Sequence, residues 1–191
     1  MWSDNLFGRL WQWVRIRSFR AVSNIRQVSG TPKVNQPLQM MGQGHIAFGD
    51  DVQIGFFPSP FYHDGSVYLE AREHGAIIRF GHRIMANNNL KVVCERTSID
   101  IGDDVLMGTS VEIIDSDFHE MDPQRRNGGN HRTAPVRIGN NVFLGSNVRI
   151  MKGVTIGDNS VVGNGAVVMD DIPADCIALG NPAKVIRHLR T

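Results

Sequence analysis

Apolar and small residues recur with a period of six in the second half of the chain. Residues 138–173 divide into six consecutive hexads without an inserted residue, and each hexad opens on Ile, Leu or Val. Four of the six continue with Gly, and a second small or branched residue recurs four places after each opening position. A helix does not suit this pattern, because its apolar face recurs every three to four residues. The period predicts an all-β fold, a parallel β-helix of short strands and tight turns with three hexads to a triangular coil.

The same period extends towards the N-terminus with interruptions. The first recognisable coil lies at 45–60, and the period breaks at 58–65. It returns imperfectly at 67–97 and is three residues out of phase at 98–100. Residues 29–44 are rich in Pro, Gly and polar side chains, which predicts an extended lead-in to the coils.

Nineteen residues, 119–137, do not keep the period, although a regular coil at 101–118 precedes them and the hexads resume at Ile138. These residues must therefore leave the stack as an extruded loop. Function concentrates in loops that a rigid scaffold holds. We expect the functional residues beside this loop.

Both ends of the chain lie outside the repeat. Residues 3–21 carry apolar side chains at helical spacing behind two possible N-caps, Ser3 and Asp4, and predict a short amphipathic helix. The tail is predicted to turn at 180–182 and to end in a second short helix. The predicted organisation is an N-terminal helical segment (1–28), a β-helix domain with its extruded loop (29–173) and a C-terminal tail (174–191).

The N-terminal segment is basic. Residues 1–26 hold one Asp and five Arg, a local charge of +4. Basic residues together with Trp and Phe are typical of a helix at a membrane surface. The favoured alternative is a helix that caps the coil stack or packs on a neighbouring subunit, because a β-helix exposes unpaired strand edges at its ends. Peripheral membrane contact through residues 1–20 remains the second possibility.

Composition narrows the class of protein further. With 191 residues the chain is expected to be one domain. Its formal charge of +1 gives no overall attraction to nucleic acid. Cys94 and Cys176 lie far apart without metal spacing, which favours a reducing cytoplasm. The sequence contains no run of about 18 apolar residues, so no membrane-spanning helix is predicted. Arginines interrupt the first 30 residues, so a signal peptide is not expected either.

His119 is the principal candidate for catalysis. It lies among acidic residues of the segment 115–122, where the hexads give way to the loop. Acyl transfer to a hydroxyl needs a base with a pKa near the working pH, and neutral His is the usual choice. Asp115, Asp117 or a backbone carbonyl could orient the ring through its other nitrogen. A plain surface position is the alternative for a His at a loop edge.

From about residue 87 to residue 187 the sequence resembles the hexapeptide-repeat acyltransferases. Within that family it is similar to the galactoside and maltose O-acetyltransferases and, more loosely, to acetyltransferases that decorate bacterial surface polysaccharides. The matching segments are 86–90, 101–108, 135–168 and 177–187. The resemblance implies a left-handed parallel β-helix, against the usual hand of parallel crossovers. It also implies a homotrimer that binds acetyl-CoA in grooves between adjacent subunits.

The resemblance assigns roles on the acceptor side of the site. It implies that His119 is the general base and that Asn87 lies on the acceptor sugar. In the loop, Arg125 and His131 are further candidates for contact with the substrate. No metal is expected. The γ-class carbonic anhydrases share these coils and bind zinc with three histidines, but His82 and His119 here lack the close second His.

On the cofactor side, five residues match positions along the acetyl-CoA groove: Phe143, Ser146, Asn164, Lys184 and Arg187. Phe143 stands where the family often has Trp, so a stacking face remains. The two basic residues suit nucleotide phosphates. An acidic pair, Asp170 and Asp171, replaces a basic residue that is common near the last coil.

These observations predict a cytoplasmic, acetyl-CoA-dependent O-acetyltransferase that acts on a sugar hydroxyl in bacterial surface polysaccharide biosynthesis. Transfer would be direct, without a nucleophilic Cys. Two alternatives stay open. One is an N-acetyltransferase of an amino sugar or of a nucleotide-linked amino sugar, and the other is a non-catalytic β-helix module that assembles other proteins.

Overall fold

The computed structural model describes residues 5–189. Within that range one helix, α1 (Leu6–Ala21), precedes twenty short strands in three sheets. Sheet 1 contains β1 (Gln27–Ser29), β4 (His45–Phe48), β7 (Ile77–Phe80), β10 (Ser98–Ile101), β13 (Val136–Ile138) and β16 (Thr155–Ile156). Sheet 2 contains β2 (Lys33–Val34), β5 (Gln53–Ile54), β8 (Met85–Ala86), β11 (Leu106–Met107), β14 (Phe143–Leu144), β17 (Val161–Val162), β19 (Cys176–Gly180) and β20 (Ala183–His188). Sheet 3 contains β3 (Leu38–Gly42), β6 (Val67–Ala71), β9 (Lys91–Cys94), β12 (Glu112–Ile114), β15 (Arg149–Ile150) and β18 (Val167–Val168).

Up to β18, each successive strand lies in the next sheet, so the chain winds around a triangular prism. Strands of consecutive coils pair in parallel, and Ile138 pairs with Ile156 and Leu144 with Val162, one 18-residue coil apart. The residues that open the hexads point inward and form a continuous apolar core. The predicted left-handed parallel β-helix of hexapeptide repeats is confirmed.

A column of polar turns joins sheet 1 to sheet 2. Asp104, Asn141, Asn159 and Asp175 all have φ between 53° and 61°, a left-handed conformation that Asn and Asp tolerate better than most residues. The side-chain amide of Asn141 donates to Asn159 Oδ1 and that of Asn159 to Asp175 Oδ1, each at 2.9 Å. The recurring Asn and Asp therefore close the turns and bridge consecutive coils.

The predicted lead-in at residues 29–44 is wrong, because these residues belong to the first coil. Val28 pairs with Ile46, Val34 with Ile54 and Leu38 with Val67 of the following coil. The Pro and Gly residues of this coil lie mostly in its turns and hide the period.

Three extra residues explain the shift in phase before β10. Ile78 pairs with Ile99, so this coil is longer than the regular 18 residues. The insertion, residues 95–97, lies in the turn between sheet 3 and sheet 1. The edge of the prism where these two sheets meet is called the 3–1 edge below.

Residues 115–135, between β12 and β13, form the extruded loop at the same 3–1 edge. The loop leaves the coil without disturbing it, since Ile101 of β10 still pairs with Ile138 of β13. An antiparallel bridge between Ser116 and Thr133 closes its base.

The C-terminal helix that the sequence predicts is wrong. After the turn at Asn181 and Pro182, β20 runs antiparallel to β19 and forms the edge of sheet 2. A strand here satisfies the backbone groups of β19 that would otherwise face solvent.

The N-terminal helix is confirmed as α1, but its cap differs from the prediction. Asn5 is the N-cap, and its Oδ1 accepts the backbone N–H of Gly8 at 2.7 Å. Ser3 and Asp4 lie outside the described residues. No helix between residues 5 and 189 is long and apolar enough to span a membrane.

Candidate functional site

His119 lies exposed on the extruded loop at the 3–1 edge. Its backbone N–H donates to the carbonyl of Asp117 at 2.7 Å, and its Nδ1 lies 3.3 Å from the carbonyl oxygen of Arg126. A carbonyl oxygen can only accept, so this contact requires the proton on Nδ1. In the neutral ring with that tautomer, Nε2 keeps its lone pair, which is what a general base needs.

Asp115 does not orient His119, contrary to the prediction. Its carboxylate is fully buried and accepts the backbone N–H groups of Glu95, Arg96 and Thr97 at 2.6 to 3.2 Å. It also accepts the hydroxyl of Thr97 at 2.8 Å. The carboxylate therefore satisfies the backbone of the three-residue insertion, which would otherwise leave buried donors unpaired.

Asp117 acts on His119 through the backbone rather than through its carboxylate. The carboxylate forms an ion pair with Lys152 at 2.8 Å, on the next turn of the 3–1 edge. This pair anchors the residue whose carbonyl holds the His119 N–H. No motif in the sequence marks Lys152.

His131 is buried rather than exposed to a substrate. Its side chain is 5% exposed, and its Nε2 lies 2.5 Å from Glu95 Oε2. The hydroxyl of Ser116 donates to the same carboxylate oxygen. Burial acts to raise the pKa of Glu95, but the hydrogen bonds of Ser116 and His131 outweigh it and hold that pKa below its ordinary value. Nδ1 of His131 is buried without a hydrogen-bond partner among the described residues.

Phe118 links this buried group to His119. It adopts φ of 58°, which is costly for a bulky side chain, and its backbone N–H donates to Ser116 Oγ at 2.9 Å. The guanidinium of Arg72 lies over its ring, 5.0 Å from the centroid. Glu95, Ser116 and Arg72 thus hold the chain just before His119. The sequence did not reveal them, and the shifted phase at 98–100 was the only signal nearby.

Arg125 is exposed and paired within the loop. Its Nε lies 3.0 Å from Asp122 and 3.4 Å from Glu120. The arrangement leaves the guanidinium at the surface, where an acceptor could reach it, but with its charge offset by two carboxylates.

Asn87, Ser146 and Asn164 follow strands of sheet 2 and lie at a different edge, where sheet 2 meets sheet 3; we call it the 2–3 edge. Asn164 Oδ1 accepts the backbone N–H of Ser146 at 2.8 Å, and Ser146 Oγ accepts that of Thr109 at 3.2 Å. A methyl group on Gly145 would lie 2.4 Å from Asn164 Oδ1, so only Gly permits this close stacking. The predicted cofactor positions thus share one edge with Asn87.

Phe143 belongs to an apolar column on the outer surface of sheet 2. Neighbours in register carry outward-facing residues at the same level of each coil: Met85, Leu106, Phe143, Val161 and Ile177. Phe143 and Leu106 are exposed. This apolar column on the face of sheet 2 suits an apolar ligand or a partner surface.

Lys184 and Arg187 both lie on β20, at the end of sheet 2. Lys184 Nζ is 3.0 Å from Asp170 Oδ2, and both side chains are exposed. Asp170, which stands where the family commonly has a basic residue, therefore forms an ion pair at the surface with Lys184, the residue predicted to contact a phosphate.

The predicted site residues fall into two groups that one chain does not bring together. His119, Arg125 and His131 belong to the loop of the 3–1 edge, whereas Asn87 and the predicted cofactor residues lie at the 2–3 edge and on sheet 2. Sheet 3 separates the two edges. Among residues 5–189, no group of three or more His, Cys, Asp or Glu side chains could hold a metal ion.

Comparison with known proteins agrees with this architecture. The family model described as the hexapeptide repeat of succinyl-transferase matches residues 135–169. A galactoside O-acetyltransferase of Lactococcus lactis is 36% identical over 156 residues, which cover 82% of this chain and 70% of the relative. The chain belongs to the hexapeptide-repeat acetyltransferase family. The galactoside O-acetyltransferase of Escherichia coli is 42% identical over 116 residues, 61% of this chain, and the match spans only 56% of that relative's length.

Among solved structures, a hexapeptide-repeat-containing acetyltransferase of Vibrio cholerae is 26% identical with a TM-score of 0.59, over 96% of this chain and 89% of that one. A second structure of the Vibrio cholerae protein, complexed with acetyl-coenzyme A, is 26% identical with a TM-score of 0.58, over 94% and 79%. The polySia-specific acetyltransferase NeuO is 25% identical with a TM-score of 0.58, over 88% and 71%.

Proposed function

We propose that this member of the family is an acetyl-CoA-dependent O-acetyltransferase that acts on a sugar hydroxyl. The observation that carries the proposal is the position of His119, an exposed imidazole whose Nδ1 faces a carbonyl oxygen, so that Nε2 of the neutral ring is available as a base. Family membership and the acetyl-coenzyme A complex of the Vibrio cholerae relative support the choice of acyl donor.

In the proposed reaction, Nε2 of His119 takes the proton of the acceptor hydroxyl while the oxygen attacks the thioester carbonyl carbon. Backbone N–H groups that face the groove stabilise the resulting oxyanion. The carbon–sulfur bond then breaks, and the imidazolium returns its proton to the departing thiolate of coenzyme A. The products are an acetyl ester and free coenzyme A.

A covalent acetyl-Cys intermediate is not part of this mechanism. Burial and the neighbouring carboxylate of Asp115 raise the pKa of Cys94 to about 12, so its thiol is not ionised at neutral pH. Cys176 is also buried. Neither thiol is presented to a bound thioester.

The same proposal includes a homotrimer with sites between subunits. His119 at the 3–1 edge needs a second copy of the chain to bring Asn87 and the cofactor residues of the 2–3 edge beside it. The exposed apolar column around Phe143 would be covered by the acyl donor and the neighbouring subunit. Closed rotational symmetry repeats such a shared site at every interface.

For the acceptor, we propose a saccharide of bacterial surface polysaccharide synthesis, modified in the cytoplasm. The galactoside O-acetyltransferase relatives and the structural likeness to a polySia-specific acetyltransferase support a sugar acceptor.

The test is incubation of the purified protein with acetyl-CoA and a panel of neutral, acidic and amino sugars, followed by mass spectrometry. The proposal predicts a gain of one acetyl group on a hydroxyl, removed by hydroxylamine. A hydroxylamine-stable acetyl group on amino sugars alone would establish N-acetylation instead. Absence of heat in a calorimetric titration with coenzyme A, together with no product, would favour a non-catalytic module.

A further inference from the structure

Helix α1 packs on the β-helix through its polar side. Gly8 and Gln12 are its buried residues. The amide of Gln12 donates to the carbonyl of Asn35 at 2.8 Å, and the guanidinium of Arg15 donates to the carbonyls of Gly65 and Tyr62 at 2.5 and 3.2 Å. Burial lowers the pKa of Arg15, and the nearby negative charge of Asp64 offsets part of this effect. Hydrogen bonds therefore attach much of this helix, beside the half-buried side chains of Ile16 and Phe19.

The opposite side of α1 is apolar and faces solvent. We call it the outer face of α1; it comprises Leu6, Phe7, Leu10, Trp13 and Val14. Leu6 is 83% exposed, Phe7 77% and Trp13 56%. These residues recur at spacings of three and four, which places them on one side of the helix. A helix on the surface of a protein ordinarily has the reverse arrangement, so this exposed apolar face suits an apolar occupant.

Charge identifies the chemistry of that occupant. The sequence of α1 contains Arg9, Arg15, Arg17 and Arg20 and no acidic residue. The guanidinium of Arg17 lies 5.4 Å from the centre of the Trp13 ring, so a cation lies directly beside the outer face. The connection between β5 and β6, which accepts the hydrogen bonds of Arg15, exposes two further aromatic rings, Phe56 and Phe61. Aromatic side chains bordered by arginines match the boundary between lipid headgroups and acyl chains.

We propose that the outer face of α1 binds the surface of a bilayer that contains anionic phospholipid. An anionic bilayer offers the arginines a continuous negative surface, whereas the chain as a whole has a formal charge of +1. This contact does not depend on the proposed acetyltransferase activity, because it involves other residues, at the N-terminal end of the stack.

The chain carries its own probe for this contact. Its three tryptophans are Trp2, Trp11 and Trp13, so tryptophan emission reports on the N-terminal segment alone. The full-length protein is mixed with vesicles of phosphatidylcholine, with or without about one third phosphatidylglycerol, and binding is followed by sedimentation and by emission. We expect co-sedimentation and a blue shift with the anionic vesicles only, both weakened by salt.

Two variants test the face and its charge separately. The triple change Leu6→Ser, Phe7→Ser and Leu10→Ser should abolish sedimentation without unfolding, since all three side chains are exposed. The change of Arg9, Arg17 and Arg20 to Gln should weaken binding about 100-fold. A matched control, Met169→Ser with Ile186→Ser, removes exposed apolar residues from the far end of the stack and should bind like the wild type.

Equal sedimentation of the wild type and the triple Ser variant would overturn the proposal. Absence of binding to either kind of vesicle would also overturn it. If the Ser variant then lowered the oligomeric state in light scattering, the outer face would be an interface between copies. Binding to anionic vesicles that follows the outer face and not the control supports it.

Discussion

Nε2 of His131 lies 2.5 Å from Oε2 of Glu95, and both side chains are almost completely buried. Glu95 belongs to the three-residue insertion of one coil and His131 to the extruded loop of the next, so this contact ties the loop to the stack. The same carboxylate accepts the hydroxyl of Ser116, whose Oγ accepts the N–H of Phe118. A short series of hydrogen bonds therefore leads from Glu95 to the residue before His119.

Replacement of Glu95 by Gln should lower kcat through the position of His119. The amide offers one acceptor oxygen in place of two and carries no charge, so the contacts of Ser116 and His131 weaken. A small displacement of a catalytic group costs about 10- to 100-fold in rate. We expect kcat for acetyl transfer to fall by that amount while KM for acetyl-CoA changes little. An unchanged kcat would show that the buried pair only holds the loop.

Glu95 should also make stability depend on pH in the acid range. Its pKa in the folded protein is below the ordinary value, so its stabilising contribution is present above the unfolded pKa of about 4.3 and is lost as the pH falls through the folded pKa. In urea unfolding, the wild type should exceed Glu95→Gln by about 2 kcal/mol at pH 7. The difference should shrink below pH 4. A constant difference down to pH 3 would contradict the assigned ionisation.

Asp115 and Asp117 should differ in what they stabilise. Asp115→Asn places an amide against the N–H groups of residues 95–97 and removes a buried charge, which should cost about 3 kcal/mol or more in unfolding free energy. Asp117→Asn loses one partly exposed ion pair and should cost less than about 1 kcal/mol. Thermal and urea unfolding of the two variants compare them directly. Similar stabilities would refute the structural role given to Asp115.

Two inactive variants should complement each other if each site is shared by two copies. His119→Ala and Asn87→Ala alter different edges of the prism, so a mixed oligomer contains interfaces in which both residues are intact. Unfolding and refolding the two variants together at equal amounts should restore about a quarter of wild-type activity in a ring of shared sites. Refolding each alone provides the control. No recovery, with mixed oligomers shown by native mass spectrometry, would place both residues in one subunit's site.

The regular coils could be predicted because every hexad repeats the same local features, an inward-facing apolar residue and a tight turn. This is why the register of Ile138 with Ile156 follows from the sequence alone. The first coil was missed since its Pro, Gly and polar residues hide the period, and the tail was assigned to a helix although the free edge of β19 selects a strand.

Contacts between the extruded loop and the previous coil could not be predicted from the local sequence pattern. His131 and Glu95 are 36 positions apart, and the pairing arises only once the loop closes over the insertion at 95–97. Asp115 looked like a partner of His119 because the two are close in sequence, yet its carboxylate points to the previous coil. The exposure of the outer face of α1 likewise follows from a tertiary contact, because Gln12 and Arg15 turn the other side of the helix towards the β-helix.

The central claim is that His119 is the general base, and the rate of acetyl transfer by His119→Ala tests it most directly. General base catalysis contributes about 10²- to 10⁴-fold, so kcat should fall by at least the lower figure while the fold and the affinity for coenzyme A are retained. His74→Ala, an exposed His near the same edge, is the matched control and should keep wild-type kcat. A His119→Ala protein with near wild-type kcat would contradict the claim.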